Sequence, residues 1–266
     1  MNIYTNFSGN YPEDPVRYYG FEKYKDFASC IDLFFGASQD PFIVNPSNNK
    51  KILFATEEQI HDTDTEYAVA DIDLYINNVD KILSVSPLCE RKPKREYVFQ
   101  PFNDDFEPLD KSKIWDVIYT GNNHGFSHIN LIFDTIILYN YRLISFNDSR
   151  ATNKNTSYSE KLQLIANSKI DIVHNLIFND IPQLKTRPFE AAFCKSLILC
   201  RYDKFKTLEK WFTPDEDFIY YEDNNLKETI DNILKNYDNY LPIIENAYNK
   251  AKSEYTTKRF VEKYLK

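Results

Sequence analysis

"KIDIVHNLIFNDIPQLKTRPFEAAFCKSLILC", Lys169 to Cys200, holds a β-branched run, a proline-bearing loop, a helical run and a second apolar run. The first and last segments read as buried strands. Between them, the residue before a proline avoids the helical region, so Arg187 precedes a helix and Pro188 takes its first position. Glu190 then falls in the first turn. Lys185, Arg187 and Glu190 crowd the entrance to a buried segment, and charge is costly to bury unless something pairs with it. These groups cap a helix, or they face a ligand.

Outward from this stretch the same alternation continues. "WDVIYTG" (Trp115–Gly121) and "YRLISF" (Tyr141–Phe146) read as strands, as does "DFIYYED" (Asp217–Asp223). "FSHINLIFDTIILYN" (Phe126–Asn140) and "SYSEKLQLIANS" (Ser157–Ser168) read as helices, and "TLEKWF" (Thr207–Phe212) as a short one. Three helical stretches close the chain: Asn225–Tyr237, Tyr240–Tyr255 and Thr256–Leu265. Strands alternating with helices mark a parallel sheet covered by helices, joined by right-handed crossovers.

The first 110 residues are less regular. Strands are expected at "NIYTNF" (Asn2–Phe7), "KILFATEE" (Lys51–Glu58), "DKILSVSP" (Asp80–Pro87) and "REYVFQ" (Arg95–Gln100), with helices at Tyr19–Phe35 and Thr65–Asn78. The expected fold is α/β: two Rossmann-like lobes with a cleft between them, the N-terminal lobe reduced. The linker is "PFNDDFEPLDKSK" (Pro101–Lys113), which divides the chain into residues 1–110 and 111–266.

Composition narrows the function. The 266 residues are 42% hydrophobic, enough for a real core, and carry a net charge of -8. That charge argues against general nucleic-acid binding and against attraction to an anionic membrane. The one dense basic cluster, Arg91–Arg95, reads as a solvated loop. The N-terminus has neither a basic n-region nor an apolar h-region, and no apolar run reaches the length of a membrane span, so a cytoplasmic protein is expected. Cys30, Cys89, Cys194 and Cys200 lack metal-ligand spacing and read as reduced thiols. Five glycines, none after Gly125, leave no GxGxxG or Walker loop.

The second half resembles the C-terminal domain of group-1-type glycosyltransferases with the GT-B fold, over Ile114 to Leu265. "WDVIYTGNNHG" looks like the strand and loop opening that domain, and "ANSKIDIVHN" like the segment two strands later. "RPFEAAFCKSLILC" resembles the signature helix and strand, and the acidic loop before the closing helices also fits the family. The resemblance implies that Glu190 binds the ribose of a nucleotide-sugar donor. Lys185, Thr186 and Arg187 would approach the diphosphate, flanked by Gly121, Asn122, Asn123 and His124, with His174 at the same carboxyl edge. Two departures stand out: Pro182 occupies a position often acidic in the family, and Lys195 one often held by glycine.

Glu57 and Glu58 follow a strand of the first lobe and are candidates for the general base that activates an acceptor hydroxyl. The Ser8–Asn10 turn is a candidate for close backbone approach. Asp62 and Asp64 form a DxD pattern but read as helix caps, so no metal and no cofactor is expected beyond the donor itself. His128 reads as structural. The expected activity is metal-independent transfer of a sugar from a nucleoside-diphosphate sugar to a hydroxyl of a glycan or other acceptor. The alternatives are a nucleotide-sugar epimerase of GT-B type and a non-catalytic nucleotide-sugar or glycan-binding module.

Overall fold

The structure, a computed structural model, describes residues 1–5, 18–28, 30–35, 47–56, 58, 60, 77–177 and 180–266. The chain forms two compact units. The first comprises Met1–Asn103, Asn175–Lys185 and Tyr255–Lys266; the second comprises Asp104–His174 and Thr186–Glu254. This corrects the boundaries drawn from sequence, which assigned all of 111–266 to one lobe. Two segments return to the first unit because their partners lie there. Leu184 donates its N–H to the Val85 carbonyl at 2.8 Å, and Phe102 donates to the Tyr255 carbonyl at 3.0 Å.

Among the described residues the first unit holds five parallel strands in sequential order: β1 (Asn2–Thr5), β2 (Ile31–Phe35), β3 (Lys50–Ala55), β4 (Lys81–Ser84) and β5 (Arg95–Tyr97). β2 overturns part of an expected helix. Tyr19–Phe35 instead contains a 3-10 helix, Phe21–Ala28, followed by the strand. All five residues of β2 are buried in the slot between β1 and β3, and a strand buried on both faces loses the alternation that marks it in sequence. The expected helix at Thr65–Asn78 falls almost wholly outside the described residues, as do Ser8–Asn10, Glu57, Asp62 and Asp64.

One face of this sheet is aromatic. Register places Phe35 beside Phe54, and Phe260 lies 5.0 Å from Phe54, 5.3 Å from Phe99 and 5.5 Å from Phe21, between ring centroids. Phe260 belongs to the chain's last helix, Thr257–Tyr264. Its apolar stripe of Phe260, Val261 and Tyr264 is buried, which is why the C-terminus packs with the beginning of the chain.

The second unit also has five parallel strands: β6 (Trp115–Thr120), β7 (Tyr141–Ile144), β8 (Ser168–Val173), β9 (Leu197–Arg201) and β10 (Ile219–Tyr221), in the order β10-β9-β8-β6-β7. Helix α1 (Ser127–Ile136) joins β6 to β7, α2 (Tyr158–Ala166) joins β7 to β8, and α3 (Arg187–Phe193) precedes β9. Helices α4 (Leu226–Lys235) and α5 (Leu241–Glu254) follow β10, and Thr257–Tyr264 is α6. Winding runs from β6 to β7, then reverses past β6 to β8. Right-handed connections therefore put α1 on one face and α2 and α3 on the other. Ile129, Ile132 and Ile136 of α1 pack with Ile230 and Ile233 of α4 on Val117, Ile170 and Leu199.

The short helix expected at Thr207–Phe212 is a series of turns. The Asp203 carboxylate accepts from the Phe205 and Thr207 backbone N–H groups and the Thr207 hydroxyl, and Lys206 has φ 52°. The side chain satisfies the backbone in place of a helix.

Candidate functional site

The reversal between β6 and β8 is a topological switch point, and ligands of open α/β sheets bind beyond the carboxyl ends of the strands flanking it. Tyr119 lies next to the last residue of β6, and His174 directly follows β8. Tyr119 rises on the α1 face, 5.4 Å from the Phe133 ring. Its hydroxyl lies 2.9 Å from His174 Nε2, and the two rings stack at 6.1 Å. The Arg187 guanidinium sits 5.2 Å from the centre of the Tyr119 ring. Burial pushes the Tyr119 phenol up, opposed by the Arg187 charge. Gly121 fits here for lack of space: a Cβ would lie 2.9 Å from the Tyr119 hydroxyl. Any side chain would displace the ring that carries Arg187 and His174.

A second layer lies behind this edge. Glu190, in the first turn of α3, is 2% exposed. Its Oε1 accepts from Lys161 Nζ of α2 at 2.7 Å. Its Oε2 is buried and finds no hydrogen-bond partner among the described residues, and the same holds for Arg187 Nη1 and both oxygens of Asp171. Asp171 sits inside β8 with no exposure, and burial drives its carboxyl well above the usual range, against the pull of Arg187. Lys161 also lies 4.6 Å from the Tyr158 ring.

The loop after β6 is built differently. Asn123 lies in the loop expected to flank the diphosphate, and its side chain is bonded within the protein. Its Nδ2 donates to Asp148 at 2.9 Å and Asn130 at 3.0 Å, and its Oδ1 accepts from the Gly125 N–H at 2.8 Å. Asn122 Oδ1 accepts from the Phe146 N–H at 3.2 Å. Asp148 accepts from Arg150 and from Asn123, and these bonds hold its carboxyl far below the usual range despite burial. The loops after β6 and β7 are thereby tied into one rigid edge. His124 is exposed on it, 6.3 Å from Phe126. His128, read as structural, is buried in α1 and meets His174 edge-on at 5.2 Å.

Thus Gly121, His174, Arg187 and Glu190 belong with the switch point of the second unit, and Asn122 and Asn123 brace its loop. Helix α3 begins at Arg187, one residue earlier than expected, and Thr186 caps it with its carbonyl, which accepts from Phe189 and Glu190 at 3.0 Å. Lys185 belongs to the first unit, where its backbone N–H donates to Asn175 Oδ1 at 3.3 Å and its ammonium to Gln183. Glu58, also in the first unit, is 2% exposed and its carboxylate accepts from Arg95 Nε at 2.6 Å. A buried ion pair, not an open base, is the local geometry of Glu58. Sequence reasoning passed over Tyr119, Asp171 and Lys161. Only Asp171 left a signal, as a lone carboxylate inside the apolar run "KIDIV".

Lys195, where the resemblance anticipated glycine, has φ 52°. Its N–H donates to the Ala192 carbonyl and that of Ser196 to Ala191, at 3.1 and 3.0 Å, so α3 ends in a Schellman motif. The ammonium bonds both Glu245 oxygens. A hollow of about 470 Å³ lined by Lys169 and Leu234–Asn239 lies at the amino end of β8, away from the switch point. Among the described residues no group of three or more His, Cys, Asp or Glu side chains is placed to hold a metal ion, and no helix is long and apolar enough to cross a membrane.

The profile of the glycosyl transferase-like family matches residues 128–266, more than half of the chain. The chain belongs to this family. The match contains the helix that carries Arg187 and Glu190 and the strands on either side of it. No curated protein matches by sequence. Among solved structures, HepE from Anabaena in complex with UDP-glucose superimposes with a TM-score of 0.67 at 7% identity, over 98% of this chain and 96% of HepE. Sucrose-phosphate synthase from Thermosynechococcus elongatus gives 0.62 at 11% identity, over 92% and 75%. TarM, an S. aureus protein, gives 0.57 at 13% identity, over 88% of this chain and 54% of TarM, so the chain spans about half of that relative's length. The fold is the two-lobed GT-B architecture of glycosyltransferases.

Proposed function

We propose that this protein transfers a sugar from a nucleoside-diphosphate sugar to a hydroxyl acceptor, with the donor nucleotide held at the switch point of the second unit. One observation carries the reading. Within the matched R-P-F-E motif, Glu190 keeps a buried acceptor oxygen and Arg187 a buried donor nitrogen, neither satisfied among the described residues. Buried polar groups rarely lack partners, and an orphaned pair calls for an explanation such as a ligand. A ribose hydroxyl would supply the donor for Glu190, and a diphosphate oxygen the acceptor for Arg187.

In this mechanism an acceptor hydroxyl attacks the anomeric carbon and the nucleoside diphosphate departs with the bonding electrons. Arg187 would stabilise the negative charge growing on the leaving diphosphate, its guanidinium held in place over Tyr119. Protein cations then do the work that a metal does in other transferases. HepE, of the same fold, is described in complex with UDP-glucose, which supports a nucleotide-sugar donor here.

A second reading, a binding module without turnover, is favoured by Pro182 at the position often acidic in the family. Thermal stabilisation by UDP, GDP and ADP, each with its sugar conjugates, tests the donor site. A ligand at 100 times its dissociation constant adds about 2.7 kcal/mol. Stabilisation by one nucleotide in wild type and its loss in Glu190→Ala is the expected result. Release of the free nucleoside diphosphate from the sugar conjugate with an acceptor panel separates transferase from binding module. Absence of stabilisation by every nucleotide would return Glu190 to a purely structural role.

A further inference from the structure

We propose that Lys161 is the positioning residue of the donor site, holding the Glu190 carboxylate so that one oxygen is occupied and the other is presented to a ribose hydroxyl. The inference rests on the reading of Glu190 as the ribose-binding group and assigns the group that prepares it.

Glu190 has titratable neighbours on several elements. Lys161 approaches from α2 and Asp171 from β8, Arg187 shares its own helix and Cys194 directly follows it; all of them interact electrostatically within this cluster. Two carboxyls in one buried cluster do not both retain their charge without compensation. Asp171 has no hydrogen-bonded partner among the described residues, and burial drives it toward the neutral form. Glu190 is hydrogen-bonded to the Lys161 ammonium at 2.7 Å. That contact engages Oε1 alone.

Lys161 is itself fixed. Its ammonium lies 4.6 Å from the face of Tyr158, three residues earlier on the same helix, a contact that restrains the long side chain. The start of that helix is anchored by the Ser157 hydroxyl, which accepts from the Glu160 N–H at 3.2 Å. A structural ion pair needs no orphaned oxygen, and a carboxylate has room for further bonds at Oε2. The arrangement of one occupied oxygen beside one vacant oxygen is that of an acceptor awaiting a donor group.

The test reads discrimination among ligands. Calorimetric titration compares UDP, GDP and ADP with their 2′-deoxy and 3′-deoxy counterparts on wild type, Lys161→Met, Lys161→Gln and Lys161→Arg. A hydrogen bond to a charged group corresponds to about 10-fold in affinity or more. Wild type is expected to prefer the ribonucleotide by at least about that factor. Lys161→Met should still bind through the diphosphate but lose most of the preference. Lys161→Arg should restore the preference. Lys161→Gln serves in place of the methionine variant if the latter does not fold. Full preference retained in the methionine or glutamine variant overturns the role of Lys161 and leaves the donor site standing. Failure of wild type to bind any of the three nucleotides overturns the donor site, and this inference with it.

Discussion

Among the described residues the two units have the same number of parallel strands, yet they are wound differently. In the first unit the strands run in sequential order, β1 to β5, so every crossover advances the same way. In the second the order reverses between β6 and β8, and the chain leaves the sheet on opposite faces at adjacent strands. The crevice that results is where Tyr119, His174, Arg187 and Gly121 meet. The cores differ too. The first packs aromatic rings from four separate stretches of chain, and the second packs Ile, Leu and Val from contiguous strand–helix units. A core assembled from distant segments supports shape; a switch point in a continuous winding creates a place for chemistry.

The largest effect expected on this comparison comes from Phe260→Ala. The ring is fully buried among Phe21, Phe54 and Phe99, and removing such a ring costs about 3–5 kcal/mol. Urea unfolding measures the loss, and hydrogen exchange locates it. Protection should fall in residues 1–103 and 255–266 and persist in β6–β9. Equal loss in both units would dissolve the distinction drawn between them.

Next in size is Asp148→Ala, which releases Arg150 and the Asn123 side chain at the loop after β6. Breaking a nearly buried charged hydrogen-bond cluster costs roughly 2–3 kcal/mol. The folded Asp148 carboxyl is held below its unfolded value, so its contribution is complete above the unfolded pKa. It is lost as pH falls towards the folded pKa. The difference between wild type and variant should therefore be constant at neutral pH and shrink below about pH 4. A difference independent of pH would mean that packing, not charge, accounts for it.

Asp171→Asn works in the opposite direction. Burial raises the folded pKa of Asp171, so the folded state binds more protons than the unfolded one between the two values. Wild-type stability relative to the variant should fall as pH rises from about 4 until the folded pKa is reached. Melting curves of both proteins from pH 4 to 8 measure it. Parallel curves would show that Asp171 is ionised in the fold and paired.

The smallest effect belongs to Lys195→Gly. Glycine relieves the left-handed backbone by about 0.5–1 kcal/mol, and the lost Lys195–Glu245 pair is half-exposed and worth little. A rise in melting temperature of a few degrees at most is expected. A fall would show that the ion pair outweighs the backbone strain.

Much of the second unit was legible from its residues. β6 to β9 and the helices between them alternate in sequence as they do in space, because each strand pairs with a segment close to it along the chain. The places of Arg187, Glu190, Gly121 and His174 at strand ends and a helix start were legible the same way, since such ends leave local signals. β2 was not: burial on both faces removes its periodicity, and Asp32 within it is tolerated only because Asn2, Ser47 and Asn49 donate to its carboxylate. The bonds of the Asn123 side chain to Asp148 and Asn130 were not legible either, because a loop asparagine looks the same whether it faces solvent or a neighbour.

By itself the sequence determined the α/β class, the parallel winding of the second half and the charged entrance to α3, all consequences of local steric preference and apolar periodicity. Only the tertiary structure decided that α6 closes the first unit, that Lys161 pairs with Glu190 and that Asp171 is buried in the same cluster with no hydrogen-bond partner among the described residues. Those pairings join residues far apart in the chain, and their energies depend on burial and on a second charge a few ångströms away. Neither quantity exists until the chain has folded.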